Sequence, residues 1–142
     1  MPSSTVEDYL KAIYHLQERG SSKRVAMGEI AKRLNVVPGT TTTMIKALAK
    51  QDLVDYTARK GVRLSETGHR LAVGIVHRHR LIETFLVNTL ELPDAEIHQE
   101  AELLEHAVSE RVLGALDRFL GYPAEDPHGQ PIPRPDAAVS EA

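Results

Sequence analysis

The sequence predicts a mainly α-helical chain in two parts, a three-helix segment closed by a short β-hairpin and then a set of longer helices. Apolar residues recur at helical spacing through most of the chain up to Leu120, and two β-prone runs flank one basic, glycine-containing turn. Charge divides near the same place: residues 1–70 carry 12 Lys/Arg and 7 Asp/Glu, whereas residues 71–142 carry 5 and 13. Net charges of +5 and −8 predict different partners for the two halves.

The first three helices are predicted from apolar stripes and from their end signals. The first spans about Thr5 to Glu18 and the second Met27 to Leu34, after which Asn35-Val36-Val37 makes a tight turn. Pro38 suits the first turn of a third helix that runs to about Lys50, because its missing N–H needs no partner there.

A hairpin and three further helices follow. Leu53–Thr57 and Val62–Leu64 read as strands around Arg59-Lys60-Gly61. Ser65 and Ser109 are predicted N-caps, the first for a long helix to about Leu90 and the second for a last helix to Leu120. Pro93-Asp94 opens the helix between them, to about Val108. We therefore predict a DNA-facing domain over 1–65, a helical domain over 66–122 and a Pro-rich tail, draped or disordered, over 123–142.

The N-terminal order of three helices, tight turn and basic hairpin is typical of a winged helix-turn-helix, whose third helix enters the major groove. Four consecutive threonines are poor helix formers, but their hydroxyls can donate to phosphates and their methyls can contact thymine. Arg63 adds a cation on the wing. The alternative interpretation is that the threonines form a loop or a strand and that the lysines are merely solvated. The predicted DNA contacts are Pro38, Gly39, Thr40, Thr41, Thr42, Thr43, Lys46, Lys50, Arg59 and Lys60.

The acidic half carries a pattern that favours a metal site. Glu102, Glu105 and His106 share one helical face, with His98 one turn earlier, and His79 and Glu83 form an i, i+4 pair. Stacked carboxylates and imidazoles conflict unless a cation lies between them. Oxygen and imidazole ligands suit Mn(II) and Fe(II) by hardness, although affinity order favours Zn(II) or Cu(II). The alternative interpretation of this pattern is an acidic helix face that is exposed to solvent and binds no metal.

Composition excludes several classes of protein. The absence of cysteine rules out disulfide scaffolds and thiolate sites, and no apolar run or signal-peptide pattern suggests a membrane, so we expect a cytoplasmic protein. We expect no enzyme and no small-molecule substrate, because HExxH, a nucleophile–base arrangement and a phosphate-cradling loop are all missing. The remaining histidines are interpreted as surface or structural residues: His15, His69, His77 and His128.

Four segments together resemble one family. They read VEDYLKAIY from Val6, RHRLIE from Arg78, HQEAELLEH from His98 and PHGQPIP from Pro127. In these the chain resembles the diphtheria toxin repressor family of metal-dependent repressors, over roughly residues 4–135.

The resemblance implies a ligand set that spacing does not supply. It adds Asp8 to Glu102, Glu105 and His106 as a primary site, and it makes an ancillary site of His79, Glu83 and His98. Carboxylates at 8 and 102 look like those of manganese sensors, so Mn(II) is the expected cofactor, Fe(II) the alternative, and Zn(II) or Co(II) substitutes in vitro.

The sequence departs from the family pattern of the ancillary site in two ways. Lys11 stands where short manganese sensors have a Glu that helps hold their second ion, and a charged lysine cannot ligate a metal. Larger iron-dependent members also have an SH3-like domain that contributes ancillary ligands, and the 142 residues do not include one.

The resemblance implies a homodimeric repressor of metal-uptake genes, activated by metal and bound to double-stranded DNA at a palindromic operator. Ligation by Asp8 would tie the DNA-binding half to the helical half. The alternative function is a metal-independent winged-helix regulator, whose DNA binding would ignore chelators.

Overall fold

The structure is a computed structural model that describes residues 3–20 and 24–135. Within these ranges the chain forms six helices and one two-stranded antiparallel sheet, which confirms the mainly α fold class. It divides into two compact units, Met1–Ala72 and Val73–Ala142. No described helix combines the length and the apolar composition needed to cross a membrane.

The first unit begins with α1 (Ser4–Gly20), α2 (Met27–Leu34) and α3 (Pro38–Lys50), close to the predicted bounds. Asn35 ends α2 in the left-handed conformation, with φ 56°, which asparagine tolerates better than most residues. Val36 then donates its N–H to the carbonyl of Ala31 at 3.0 Å, which closes the predicted tight turn.

Strands β1 (Val54–Thr57) and β2 (Gly61–Leu64) form the predicted hairpin. Val25 extends it, exchanging N–H···O bonds of 2.6 and 2.9 Å with Val62. Gly61 has φ +99°, and a Cβ there would lie 2.5 Å from the carbonyl oxygen of Val25. Only glycine therefore allows the segment before α2 to lie this close to the hairpin.

Buried apolar side chains from all of these elements make one core in the first unit. Ile30 of α2 and Ile45 and Leu48 of α3 are fully buried in it. The other buried members are Tyr9, Leu10, Ile13, Val25, Leu53, Val54, Val62 and Ala72. This core fixes α3 against α1 and α2 and leaves the opposite face of α3 exposed.

Three helices run through the rest of the chain: α4 (Glu66–Asn88), α5 (Asp94–Glu105) and α6 (Glu110–Phe119). Both predicted serine caps are confirmed. Ser65 Oγ accepts from the Gly68 N–H at 3.0 Å, and Ser109 Oγ accepts from the Val112 N–H at 3.2 Å. A small core packs α4 on α5 and consists of Ile82, Leu86, Ile97 and Ala101.

Residues 123–135, here called the strap, pack on α4 as a turn rather than as a loose tail. Asp126 N–H donates to the Gln130 carbonyl and Ile132 N–H to the Ala124 carbonyl, both at 2.9 Å, and Ile132 is buried. Two donors from α4 hold main-chain carbonyls of the strap: His77 Nδ1 binds Pro133 O at 2.8 Å and Arg80 binds Pro131 O at 2.7 Å. Residues 136–142 of the predicted tail lie outside the described residues.

Candidate metal centre and DNA-binding surface

The four threonines of α3 have different environments. Thr41 has no exposed surface, and its hydroxyl has no hydrogen-bond partner among the described residues. It lies on the inward stripe with Ile45 and Leu48, at i, i+4 and i+7. The interpretation of Thr41 as a DNA contact is therefore corrected: it packs in the core.

Two further threonine hydroxyls are used within α3. Thr42 donates to the Pro38 carbonyl at 3.2 Å and Thr43 to the Gly39 carbonyl at 3.1 Å. Because phosphate oxygens only accept hydrogen bonds, these two hydroxyls do not donate to phosphate in this arrangement. Thr40 is exposed at the start of the helix and keeps that role as a prediction.

The predicted basic contacts are all exposed. Lys46 and Lys50 lie on α3, whereas Arg59 and Lys60 lie at the hairpin turn, where Arg59 has φ 68°. Pro38 and Gly39, also exposed, begin α3. The first unit thus presents cations on two separated elements, as a protein that contacts phosphates requires. Their contact with DNA stays a prediction.

The metal-ligand candidates of the second unit are organised around α4. Arg78 donates to the Glu105 carbonyl at 3.4 Å and also binds the Val108 carbonyl and the Glu110 carboxylate. These contacts hold the end of α5 against α4. They place the buried Glu105 side chain beside His79.

His79 lies between two buried carboxylates. Its Nδ1 is 2.5 Å from Glu105 Oε1, and its Nε2 is 3.0 Å from Glu83 Oε2. His98, which is exposed on α5, has Nδ1 3.5 Å from the same Glu83 oxygen, and its ring packs edge-on against His79 at 4.8 Å between centroids. Each of His79, Glu83 and His98 offers a ligand atom within 4.8 Å of the other two. The structure therefore brings the predicted ancillary ligands together.

The environment of Glu83 favours its charged form. Burial is the largest single influence and raises its pKa, but the hydrogen bond from His79 and the charges of His79, His98 and His128 outweigh it. The net result is a pKa below the ordinary value of a glutamate. A buried carboxylate that stays ionised is a suitable ligand for a cation.

Three predicted primary ligands lie along the last turns of α5. Glu105 is buried, and its Oε2 is 3.5 Å from His106 Nε2 at the end of the helix. Glu102 Oε1 is 3.0 Å from His98 Nε2, so α5 links the two predicted sets. Asp8 lies on α1 of the first unit, and its ligand role stays a prediction from the resemblance.

A third group of ligand candidates was missed by the sequence analysis. The strap places Asp126 and His128 near Glu83, so that one ligand atom of each lies within 4.8 Å of the others. Asp126 is 6% exposed; its Oδ1 accepts from the N–H groups of His128 and Gln130, whereas its Oδ2 has no hydrogen-bond partner among the described residues. Helical spacing could not reveal this group, because its members lie on a turn remote from Glu83 in sequence.

Two histidines that the sequence analysis interpreted as surface or structural residues, His128 and His77, have different environments. His128 is more than a surface residue, since its Nε2 is 3.0 Å from Asp94 Oδ1. That hydrogen bond, together with the charge of Glu83, raises the pKa of His128. His77 is structural as expected: burial lowers its pKa, and it donates to the Pro133 carbonyl.

The donor set fits a divalent ion. Glu83, Glu105 and Asp126 are buried, and a buried carboxylate oxygen without a partner is costly unless a cation or a donor meets it. All candidate ligand atoms are carboxylate oxygens or imidazole nitrogens, the set that Mn(II) and Fe(II) accept.

Comparison with known proteins decides the family. Residues 1–62 match the model for the iron-dependent repressor N-terminal DNA-binding domain, and residues 65–134 match the iron-dependent repressor metal-binding and dimerisation domain. The chain belongs to the iron-dependent repressor family. The resemblance to the diphtheria toxin repressor family and the predicted order of a DNA-binding and a metal-binding part are confirmed.

Several members of the iron-dependent repressor family are similar over most of the chain. The iron-dependent repressor IdeR of Mycobacterium tuberculosis is 36% identical over 129 residues, which cover 91% of this chain and 55% of IdeR. The transcriptional regulator MntR of Shouchella clausii is 34% identical over 119 residues, 84% of this chain and 79% of MntR. A manganese-dependent transcriptional repressor solved with manganese has a TM-score of 0.84 and 46% identity, over 92% of this chain and 59% of that one.

The chain spans little more than half the length of IdeR and of the solved manganese-dependent repressor. The similar proteins are named as transcriptional regulators or repressors.

Proposed function

We propose that this chain acts as a homodimeric DNA-binding repressor that divalent metal activates, with Mn(II) as the preferred ion and Fe(II) as the alternative. One observation supports it most strongly. Glu83 is a buried carboxylate held below its ordinary pKa, and it is shared by two groups of oxygen and nitrogen ligand atoms. One of these groups contains the unpartnered Oδ2 of Asp126. A purely structural acidic surface would not bury such groups.

The proposed ligands form a primary and a second set. The primary set is Glu102, Glu105 and His106, to which the resemblance adds Asp8. The second ion has two alternative sets around Glu83, either His79 and His98 or Asp126 and His128.

A bound divalent ion supplies the positive charge that these buried carboxylates need. The residues of the chain then hold α5 and the strap in one arrangement on α4. Ligation by Asp8 would extend that order to the DNA-binding half, so that metal favours the DNA-competent state by differential affinity. A coupling of about 1–3 kcal/mol corresponds to a 5–150-fold change in DNA affinity.

The choice of metal follows from the ligand atoms. Hard carboxylates at 8 and 102 and the absence of thiolate favour Mn(II), the ion bound in the similar solved repressor. The similarity to IdeR keeps Fe(II) as the alternative. Zn(II) and Co(II) are expected to bind in vitro because affinity order, rather than availability, governs a purified protein.

Dimerisation follows from the family domain and from exposed apolar side chains. Large apolar residues on α5 and α6 are uncovered in the single chain, led by Leu103 at 70% and Phe119 at 68%. A second copy packed on such a surface gives a two-fold dimer, and a two-fold dimer is matched by a palindromic operator. Its half-sites would be about 34–36 Å apart or a multiple of that distance.

The test is a titration of Mn(II) into metal-free protein, followed by loss of the free-ion EPR signal. We expect two ions per wild-type chain and one in His106→Ala. His69→Ala is the matched control, since His69 is an exposed histidine outside every ligand group, and it should keep two. Absence of saturable binding would contradict the proposal and favour the metal-independent regulator.

The link between metal and DNA is tested separately with Asp8→Ala. We expect Mn(II) to raise the DNA affinity of the wild type much more than that of the variant, while both remain dimers. Equal activation of the two proteins would remove Asp8 from the proposed ligand set.

A further inference from the structure

The side chain of Arg24 joins the two strands of the hairpin. One terminal nitrogen of its guanidinium donates to the carbonyls of Asp55 at 2.9 Å and Gly61 at 3.2 Å, and the other donates to Asp55 Oδ2 at 2.8 Å. Planar guanidinium donors are well suited to several fixed acceptors at once. Arg24 is largely buried by these contacts and lies just before Val25, which pairs with Val62. It therefore fixes the position of Asp55.

Asp55 in turn holds a second arginine. Arg63 is its cross-strand partner, and Arg63 Nε donates to the same Oδ2 at 3.2 Å. The Arg63 side chain is 50% exposed, and its two terminal nitrogens bind no acceptor in the described part of the chain. One carboxylate oxygen thus accepts hydrogen bonds from two guanidiniums.

We propose that Asp55 is a positioning residue for DNA binding, which holds Arg63 ready to bind a backbone phosphate and is itself anchored by Arg24. The inference rests on the proposed DNA binding. Arg63 would otherwise be a long, mobile side chain on a strand, and ordering it would weaken its contact with phosphate. An acidic residue on a hairpin that faces DNA would by its charge alone weaken binding, and its hydrogen bond to Arg63 supplies a role that offsets this cost.

This role predicts a change in DNA affinity, on removal of Asp55, that is opposite to the change expected from charge alone. Removal of a negative charge near DNA raises affinity when only Coulomb interactions count. If Asp55 positions Arg63, its removal instead lowers affinity, because two neighbouring guanidiniums then repel each other and Arg63 loses its fixed orientation. The sign of the effect of Asp55→Asn therefore separates the two explanations.

The experiment measures binding of the full chain, with Mn(II) present, to a fluorescein-labelled 30-base-pair duplex of mixed sequence. Phosphate contacts do not depend on sequence, so no operator is needed. We expect Asp55→Asn and Arg63→Gln each to weaken binding about threefold to fivefold, the size of one exposed ionic contact. The double variant should bind no more weakly than Arg63→Gln, and the salt slope of log Kd should fall by about one in Arg63→Gln.

The control is Asp52→Asn, which removes the same charge from an exposed residue of the same unit outside this network. Asparagine tolerates the φ of 60° at that position, and we expect unchanged or tighter binding. Binding by Asp55→Asn as tight as that of Asp52→Asn would overturn the positioning role.

A second variant avoids dependence on the stability of Asp55→Asn. Arg63→Lys keeps the charge but loses the Nε donor, so we expect it to bind about as weakly as Arg63→Gln although its charge is that of the wild type. Wild-type affinity in Arg63→Lys would overturn the inference. Failure of the wild type to bind DNA at all would overturn the proposed function as well, and the two failures are thereby distinguished.

Discussion

His79 Nδ1 lies 2.5 Å from Glu105 Oε1, so an imidazole of the second ligand set contacts a carboxylate of the primary set. Its other nitrogen faces Glu83 at 3.0 Å. One ring therefore contacts both proposed sites, as a ligand of one and as a hydrogen-bond partner of a ligand in the other. Such outer partners fix the orientation and basicity of the ligands that they contact.

The first prediction concerns this shared ring. His79→Ala should weaken the second site and also lower the Mn(II) affinity of the primary site about tenfold, because Glu105 loses a hydrogen-bond partner that helps to orient it. Isothermal titration calorimetry with Mn(II) measures both affinities. His128→Ala is the comparison: it removes a candidate ligand of the second ion that makes no described contact with Glu105, so the primary affinity should stay unchanged. An unchanged primary affinity in His79→Ala would show that the two sites are independent.

The second prediction uses the buried hydroxyl of Thr41. Thr41→Val replaces an unpartnered buried hydroxyl with a methyl of similar size and keeps the β-branched shape. The free energy of unfolding should rise by about 1 kcal/mol, with DNA binding unchanged. Urea unfolding measures the change. Thr43→Val serves for comparison because Thr43 is exposed and bonded to Gly39 O, and it should gain no stability. A loss of DNA affinity in Thr41→Val would restore Thr41 as a DNA contact.

The third prediction concerns attachment of the strap. Arg80→Met fills the buried position with an apolar side chain but removes the hydrogen bond to the Pro131 carbonyl. Because the lost donor is charged, the free energy of unfolding should fall by about 1.5–3 kcal/mol. Amide hydrogens of 126–132 should exchange faster with solvent, as mass spectrometry can measure. Arg118→Met, on the exposed side of α6, should leave that exchange unchanged. Equal protection in both variants would mean that other contacts suffice to hold the strap.

The fourth prediction concerns the exposed apolar surface. Phe119→Asp should convert the dimer into a monomer, because it puts a charge where a second copy would bury an aromatic ring that packs on Phe85. Sedimentation velocity reports the mass. Gln99→Asp introduces the same charge at an exposed polar position of α5 and should leave the dimer intact. A dimeric Phe119→Asp would place the contact on another surface.

The sequence predicted most elements because their signals are local. The Ser65 and Ser109 caps, Pro38 at the start of α3 and the glycine of the hairpin turn each act on their own neighbours. Candidate ligands close together in sequence, such as Glu105 and His106 at the end of α5, were recognised for the same reason.

What the sequence could not predict depends on tertiary contacts. Thr41 looks polar, and only the packing of α3 shows that it belongs to the inward stripe with Ile45 and Leu48. Asp126 and His128 reach Glu83 because Arg80 and His77 hold the strap on α4. No periodicity connects residues on a turn to a helix so far away in the chain.

The attachment of the strap has a consequence for how this protein can diverge. Both donors from α4 bind main-chain carbonyls, of Pro131 and Pro133, and not side chains. Every amino acid offers that carbonyl, so substitutions at 131 and 133 leave the acceptors in place. Related chains could therefore alter the chemistry that the turn presents to Glu83 while retaining His77 and Arg80. The side chains of the strap can therefore change, and with them the candidate ligands near Glu83, while its attachment to α4 stays the same.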